Sequence, residues 1–351
     1  MKKIKLGKTI ITQNSLPYVI AEIGVNHECS LKNAKKLILE AKRAGANAAK
    51  FQTYKANLIA SKNAKGYWDT NKEKTKNQYE LFRKYDLFGE KDYYKLYKYC
   101  RKLNIEFLTT PFDHDAVDMI NKMVNFYKIS SSDITNFPLI EKIASKKKPV
   151  ILSTGASTLK EIRKALNFLK SKNCNQVILM HCILNYPTQD SDANLNMILS
   201  LIKHFPKNII GYSDHTIPCK EMKNVCTSYI LGARVIEKHF TLNKKKKGND
   251  HYHSMDSKDL KNLISRLQKL KKIIGNKNKT FLTSEKNSRK FARRSIVLKN
   301  IVQKGQVIKM KDLVCKRPGT GIEPEKIYKI VGKKATRVLN EDHIITSKDI
   351  H

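Results

Sequence analysis

The sequence predicts an α/β protein: a (β/α)8 barrel followed by a small β-rich domain. Three observations carry this. Eight short apolar runs alternate with amphipathic segments between about Tyr18 and Leu270. Polar and ionisable residues gather at the carboxyl ends of those runs. Beyond Arg294 the texture changes to short β-like runs with Gly and Pro and no long helix. Eight strand–helix units suit a closed barrel. A doubly wound sheet would show fewer units and an early glycine-rich phosphate loop. No such loop follows the first run.

The eight runs are Tyr18–Ile23, Ala48–Phe51, Ile105–Leu108, Phe126–Ile129, Val150–Leu152, Val177–Met180, Ile209–Gly211 and Val235–Glu237. Between them, Ser30–Ala44 sets Leu31, Ala34, Leu37, Ile38 and Ala41 on one helical face, with Gly45 as the stop. Thr158-x-x-Glu161 is a capping box that opens a helix to about Leu169. Lys258–Ile274 repeats Leu260, Leu263, Ile264, Leu267 and Leu270 at helical spacing. The insertion Asn57–Tyr85 is long, polar and aromatic, and reads as a loop over the barrel mouth. The expected division is a catalytic barrel over 1–275, a linker over 276–294 and a small domain over 295–351. Within the last, Val307-Ile308-x-x-Lys311-Asp312-Leu313 resembles Ile344-Ile345-x-x-Lys348-Asp349-Ile350, so two half-repeats are expected.

Composition limits the function classes. Apolar residues make up 40%, enough for a sizeable core. The net charge of +38 raises nucleic acid as a partner. The lysines, however, are spread over nearly every segment, and the longest run is Lys244–Lys247. That layout describes solvated faces rather than a binding stripe, and no specific nucleic-acid partner is expected. The seven cysteines show no Cys-x-x-Cys pair, which fits a reducing cytoplasm and neither a disulfide framework nor a zinc ribbon. The start of the chain lacks the apolar core of a signal peptide. No window approaches the ~20 apolar residues of a membrane span.

The chemistry sits at the strand ends: Glu22, Lys50 with Gln52, Thr109 and Thr110, Lys128 with Ser131, Ser153 with Thr154, His181, Ser213 with His215, and Glu237 with His239. A barrel places its active site there. Lys50 and Lys128 can neutralise a phosphate or carboxylate, and the serines add donors. His215 and His239, on adjacent strand ends, can share a divalent ion and leave positions open for substrate oxygen. The spacing leaves alternatives open. A strand-end histidine can be purely structural, and a strand-end lysine such as Lys128 can be a Schiff-base nucleophile.

Nine motifs extend the reading: Ala21–His27, Lys50–Thr53, Thr109–Phe112, Tyr127–Ile129, Ile151–Gly155, Tyr186–Thr188, Gly211–Thr216, Glu237–Thr241 and Lys316–Gly319. In order and in register, they resemble the bacterial sialic acid synthase family. The resemblance implies a catalytic barrel followed by an antifreeze-like (SAF) domain of β-clip type, in a domain-swapped homodimer. It implies a transferase that condenses phosphoenolpyruvate with an N-acetylated hexose, by default N-acetylmannosamine, to give N-acetylneuraminate. A 2,4-diacetamido-6-deoxy sugar giving legionaminate is the alternative. Mn²⁺ or Mg²⁺ would be held by His215 and His239. Lys50, Thr110, Lys128, Ser131, Ser153 and Ser213 would hold phosphoenolpyruvate. Gln52, Tyr186 and Asp250 would contact the sugar, and Arg317 of the partner's SAF domain would reach its N-acetyl group.

Proton handling calls for a carboxylate. Asp133 and Glu22 are the candidates, with Asp133 favoured because it lies two residues past Ser131. Three departures from the family pattern bear on the sugar: Asp133 where Glu is usual, Leu184 where Ser or Asn is common, and the loop Gly248–His253. That loop adds His251 and His253, read as sugar-contacting or surface residues rather than metal ligands.

Overall fold

The alternation Lys-Ile-Lys-Leu turns the chain's first residues into a strand, Lys3–Leu6 (β1), whose isoleucine and leucine face inward. It pairs antiparallel with Thr9–Thr12 (β2), and Gly7 supplies the positive φ of +57° that the tight turn needs. The sequence reading had missed this hairpin. The computed structural model describes residues 2–68, 73–248 and 250–351. These form two compact units, residues 1–275 and 276–351.

The first unit holds eight parallel strands: Tyr18–Gly24 (β3), Ala48–Thr53 (β4), Glu106–Pro111 (β5), Tyr127–Ile129 (β6), Val150–Ser153 (β7), Val177–Cys182 (β8), Ile209–Asp214 (β9) and Val235–His239 (β10). They follow one another around a barrel in chain order, and β10 pairs back onto β3. β5 and β6 lie side by side at the remaining seam. The predicted barrel is therefore present, with each strand near its expected place.

Side-chain alternation splits the interior into two cores. One set, with Ile20, Ala48, Leu108, Phe126, Ile151, Ile178, Met180, Ile209 and Val235, fills the barrel and packs on Ile4, Leu6 and Ile11 of the hairpin. The other, with Val19, Ala21, Phe51, Tyr127, Leu152 and Ile236, packs against the helices. Those helices start where their caps dictate. Ser30 caps Leu31–Arg43 by accepting from the Asn33 amide. Thr158 and Glu161 form the expected capping box before Leu159–Ser171. Asp256 caps Ser257–Ile274.

Two stretches differ from expectation. The 57–85 insertion is partly helical, at Ala56–Ile59 and Gln78–Tyr85; its residues 69–72 lie outside the described ones. Residues 276–294, read as a linker, carry a helix at Lys286–Ala292. Arg289 there stacks on Phe281, a local contact that a search for apolar periodicity does not see.

The second unit is built on Ser295–Leu298 (β11) and Leu313–Lys316 (β12), paired antiparallel, around Ile296, Leu298, Ile308, Leu339 and Ile345. The half-repeats adopt the same turn. The Lys309 amide donates to Asp312 at 2.9 Å, and the Thr346 amide to Asp349 at 2.9 Å. Ile308 and Ile345 are both buried beside these turns.

Candidate active site

The inward alternation that fills the barrel ends in polar residues. β4 runs Ala48, Lys50, Gln52; β7 runs Ile151, Ser153; β9 runs Ile209, Gly211, Ser213; β10 runs Val235, Glu237, His239. The register brings them level: Glu22 lies opposite both Lys50 and His239, and Glu237 lies opposite Ser213. The result is a cavity of ≈ 1200 Å³, its open mouth included, at the carboxyl ends of the strands. Of the expected site residues it gathers Glu22, Lys50, Gln52, Thr110, Lys128, Ser131, Ser153, Tyr186, Ser213, His215, His239 and Asp250.

Some expected residues lie elsewhere. Asp133 does not line the cavity. It sits in the short turn after β6, where its carboxylate accepts from Asn136 at 3.1 Å and Ser132 at 3.3 Å. Thr109 and His181 fall on the alternate, helix-facing side. Thr109 bonds Thr53 at 2.7 Å, and His181 bonds the Ala193 carbonyl at 2.9 Å. Arg317 belongs to the second unit, where its side chain is exposed.

At the floor, four charges balance. Lys50 Nζ lies 2.8 Å from Glu22 and 3.7 Å from Glu237, and Lys128 Nζ lies 3.4 Å from Glu237. Lys50 also donates to Thr110 at 3.0 Å, and Ser213 to Glu237 at 3.3 Å. All four ionic groups are nearly fully buried. Burial pushes Glu237 up, but Lys128 and Lys50 outweigh it and hold the carboxyl below the usual range. For Glu22 burial wins over the attraction of Lys50, aided by repulsion from Glu237, and its carboxyl is raised. Burial would lower Lys50, but Glu22 and Glu237 more than offset it. Ser153 Oγ and one oxygen of Glu237 are buried without a hydrogen-bond partner, whereas both Glu22 oxygens are engaged, by Lys50 at 2.8 Å and Gln52 at 2.9 Å. The free Ser153 hydroxyl and the two ammonium groups can donate to an anion with several oxygens.

Glu237 is the central residue that the sequence reading left without a role. Its position two residues before His239, on the same inward face, was the available signal.

The opposite wall carries histidines. His215 Nδ1 donates to the Ile183 carbonyl at 2.6 Å. Burial, then the neighbouring His239, lowers it to about 3, so the ring is neutral. His239 packs 5.6 Å from the His215 ring. Burial would lower its affinity for a proton, but the Asp250 carboxylate more than offsets this. Asp250 Oδ2 stands 3.1 Å from His239 Nδ1, yet the approach lacks hydrogen-bond alignment and Nδ1 is left unpartnered. Of the two expected settings for His251 and His253, sugar-contacting or surface, the surface one does not hold: both are buried. His251 bonds Thr241 at 2.7 Å, whereas both ring nitrogens of His253 have no hydrogen-bond partner. Residue 249 of this loop lies outside the described residues. Imidazole nitrogens without hydrogen-bond partners beside a carboxylate fit a divalent cation.

The insertion adds Tyr67, Trp68, Leu81, Phe82 and Tyr85 to the cavity lining, which also holds Tyr54, Phe112 and Leu184. Among the described residues, no helix is long and apolar enough to cross a membrane.

Comparisons with known proteins agree with this geometry. Residues 37–279 match the NeuB family and residues 293–351 the SAF domain. The chain is 39% identical to an N,N'-diacetyllegionaminic acid synthase of Legionella pneumophila, over 92% of this chain and 91% of that one. It is 38% identical to the synthase of the same name from Campylobacter jejuni, over 93% and 98%. Among solved structures it resembles the N-acetylneuraminic acid synthetase of Leptospira borgpetersenii, crystallised with citrate. The TM-score is 0.73 and the identity 33%, over 82% of this chain and 95% of that one. With a matching barrel, a matching small domain and full-length relatives, the chain belongs to the NeuB family, that of the sialic acid and legionaminic acid synthases.

Proposed function

We propose that this NeuB-family enzyme condenses phosphoenolpyruvate with the open-chain aldehyde of an acetamido sugar, giving a nine-carbon 2-keto sugar acid and inorganic phosphate. The observation that carries the reading is the floor of the cavity, where Lys50 and Lys128 converge on one carboxylate beside the unpartnered hydroxyl of Ser153. Phosphoenolpyruvate presents a phosphate and a carboxylate, and this socket offers two cations and a hydroxyl. Its C3 attacks the aldehyde carbon, water adds at C2, and the C–O bond to phosphate breaks. Lys50 and Lys128 neutralise charge on the departing phosphate in a preorganised, buried site. Glu22 is the proton-handling group we favour over Asp133. It lines the cavity, faces Lys50 at 2.8 Å and has a raised carboxyl. Gln52 donates to Glu22 at 2.9 Å and so orients it. A divalent cation, Mn²⁺ or Mg²⁺, held by His215 and His239, would supply Lewis-acid polarisation of the aldehyde oxygen.

The mouth favours the 2,4-diacetamido-6-deoxy sugar over N-acetylmannosamine, the default expectation. Leu184, Trp68, Phe82 and Phe112 offer apolar contacts of the kind a 6-deoxy carbon needs, beside the hydroxyls of Tyr54, Tyr67 and Tyr85. Burying an unpartnered sugar hydroxyl there costs roughly 1–3 kcal/mol, which a 6-deoxy carbon avoids. The two legionaminic acid synthases among the relatives support the same choice. Carried over from the family, Tyr186 and Asp250 contact the sugar, and Arg317 of a partner subunit reaches its acetamido group in a homodimer.

The test is phosphate release from phosphoenolpyruvate across a panel of acetamido sugars, with Mn²⁺ or with EDTA. Release with the diacetamido sugar that EDTA blocks is the expected result. Release with N-acetylmannosamine alone would return the product to N-acetylneuraminate. No release with any sugar would overturn the synthase reading.

A further inference from the structure

The most unusual residue of the first unit is His253. It is fully buried, and neither ring nitrogen has a hydrogen-bond partner. Each unsatisfied buried polar atom costs about 1–3 kcal/mol. A histidine kept only for packing would be expected to aim one nitrogen at a carbonyl, as His181 and His215 do. His253 instead packs against rings: His239 at 4.9 Å, Tyr252 at 5.1 Å and Tyr186 at 5.8 Å.

Its neighbour His239 also keeps a nitrogen without an aligned hydrogen bond. His239 Nδ1 is unpartnered, and Asp250 Oδ2 stands 3.1 Å from it without hydrogen-bond alignment. One ligating atom each of His239, Asp250 and His253 lies within 4.8 Å of the others. Ligand atoms bonded to one cation at about 2.1 Å stand about 3 Å apart. The His239–Asp250 edge already has that length, and the His253 nitrogen lies within 4.8 Å of both. The nearby ammonium of Lys238 is committed to Asp214 at 2.7 Å and to the Thr216 carbonyl at 2.6 Å. It therefore does not compensate the Asp250 charge.

We propose that His253 is a ligand of the divalent cation together with His239 and Asp250, a set of two imidazoles and one carboxylate. This deepens the reading above, which needs a cation, and it adds Asp250 and His253 to the expected pair His215 and His239. Two imidazoles and a carboxylate suit borderline transition ions, so this chain should prefer Mn²⁺, Fe²⁺ or Co²⁺ to Mg²⁺. The remaining positions stay open for water or substrate oxygen.

The experiment uses the full chain stripped by chelation, with Co²⁺ alone as probe and no substrate present. Calorimetry gives the affinity, and the visible spectrum of bound Co²⁺ reports its ligands. We expect one bound ion. His253→Ala and Asp250→Asn should each weaken binding by about 10- to 100-fold or more and change the spectrum. Melting in EDTA separates misfolding from ligand loss. The Co²⁺-induced rise in Tm should vanish in His253→Ala while the EDTA Tm stays near that of the parent. If His253→Ala melts low in EDTA, His253→Gln, closer in volume, is measured in its place. Wild-type affinity and spectrum in the substituted protein would overturn the assignment, as would a parent chain that binds no Co²⁺ and holds only water there. Either outcome leaves the synthase reading to the phosphate assay. Conversely, absence of phosphate release with every sugar would sink that reading and leave a measured Co²⁺ site standing.

Discussion

Replacing Glu237 by Gln removes one charge from a buried set of four and leaves the shape of the cavity floor. Glu237 faces Lys128 at 3.4 Å and Lys50 at 3.7 Å. At an effective dielectric of about 20, these contacts are worth roughly 5 and 4.5 kcal/mol before desolvation is counted. The net loss is smaller. Removing one partner of a buried pair costs about 3–5 kcal/mol, mostly by stranding the other charge. Lys50 keeps Glu22 at 2.8 Å, but Lys128 has no other carboxylate within ion-pair distance among the described residues. The lower end therefore applies, about 3 kcal/mol, which is about 6–12 °C in Tm for a unit of this size. The assay is thermal unfolding of the parent, Glu237→Gln, Lys128→Met and the double variant. The double variant should be markedly more stable than the sum of the singles predicts. Added phosphate should raise the Tm of Glu237→Gln more than that of the parent, because its lysines lack their counter-charge. A Tm within ~2 °C of the parent, or strictly additive singles, would refute the account of the floor as a balanced charge set.

Other outcomes follow from the same structure. His27 stacks on Phe88 at 4.5 Å, and burial lowers it to about 4. Its folded pKa is below its unfolded one, so stability is complete above pH 6.5 and falls by about 3 kcal/mol as pH drops toward 4. The Tm of His27→Phe should fall less steeply over that range, and parallel slopes would dismiss the idea. Leu184→Ser should move kcat/KM toward N-acetylmannosamine by about tenfold relative to the diacetamido sugar; an unchanged ratio would clear Leu184 of any part in sugar choice. Arg317→Ala and His239→Ala should each be inactive, and mixing them should restore turnover if Arg317 acts across a dimer. A mixture as dead as its components would argue against that contact.

The barrel was legible because its strands are written twice, once as apolar runs and again as the polar residues that end them. What was misjudged follows from periodicity. Reading Thr109 and His181 as site residues ignored that strand neighbours face opposite ways; Thr110 and Cys182 are the inward ones. Asp133 was favoured for its nearness to Ser131, but it is the preceding residues of that turn, Ser130, Ser131 and Ser132, that line the cavity. The hairpin of β1 and β2 was hidden by its lysines, although Ile4 and Leu6 alternate with them. His253 could not have been weighted from sequence alone. Its significance lies in lacking partners, and only the packed fold reveals that.

The same hairpin has a kinetic consequence. Ile4, Leu6 and Ile11 stopper the barrel from below, so both reactants use the doorway rimmed by Trp68, Phe82 and Tyr85. On the proposed reaction, phosphoenolpyruvate would occupy the lysine end and the sugar the space beside it. Whatever occupies the entrance blocks the way to the socket. Turnover should then run in a compulsory sequence, phosphoenolpyruvate first, with excess sugar stalling the empty enzyme by standing in its path.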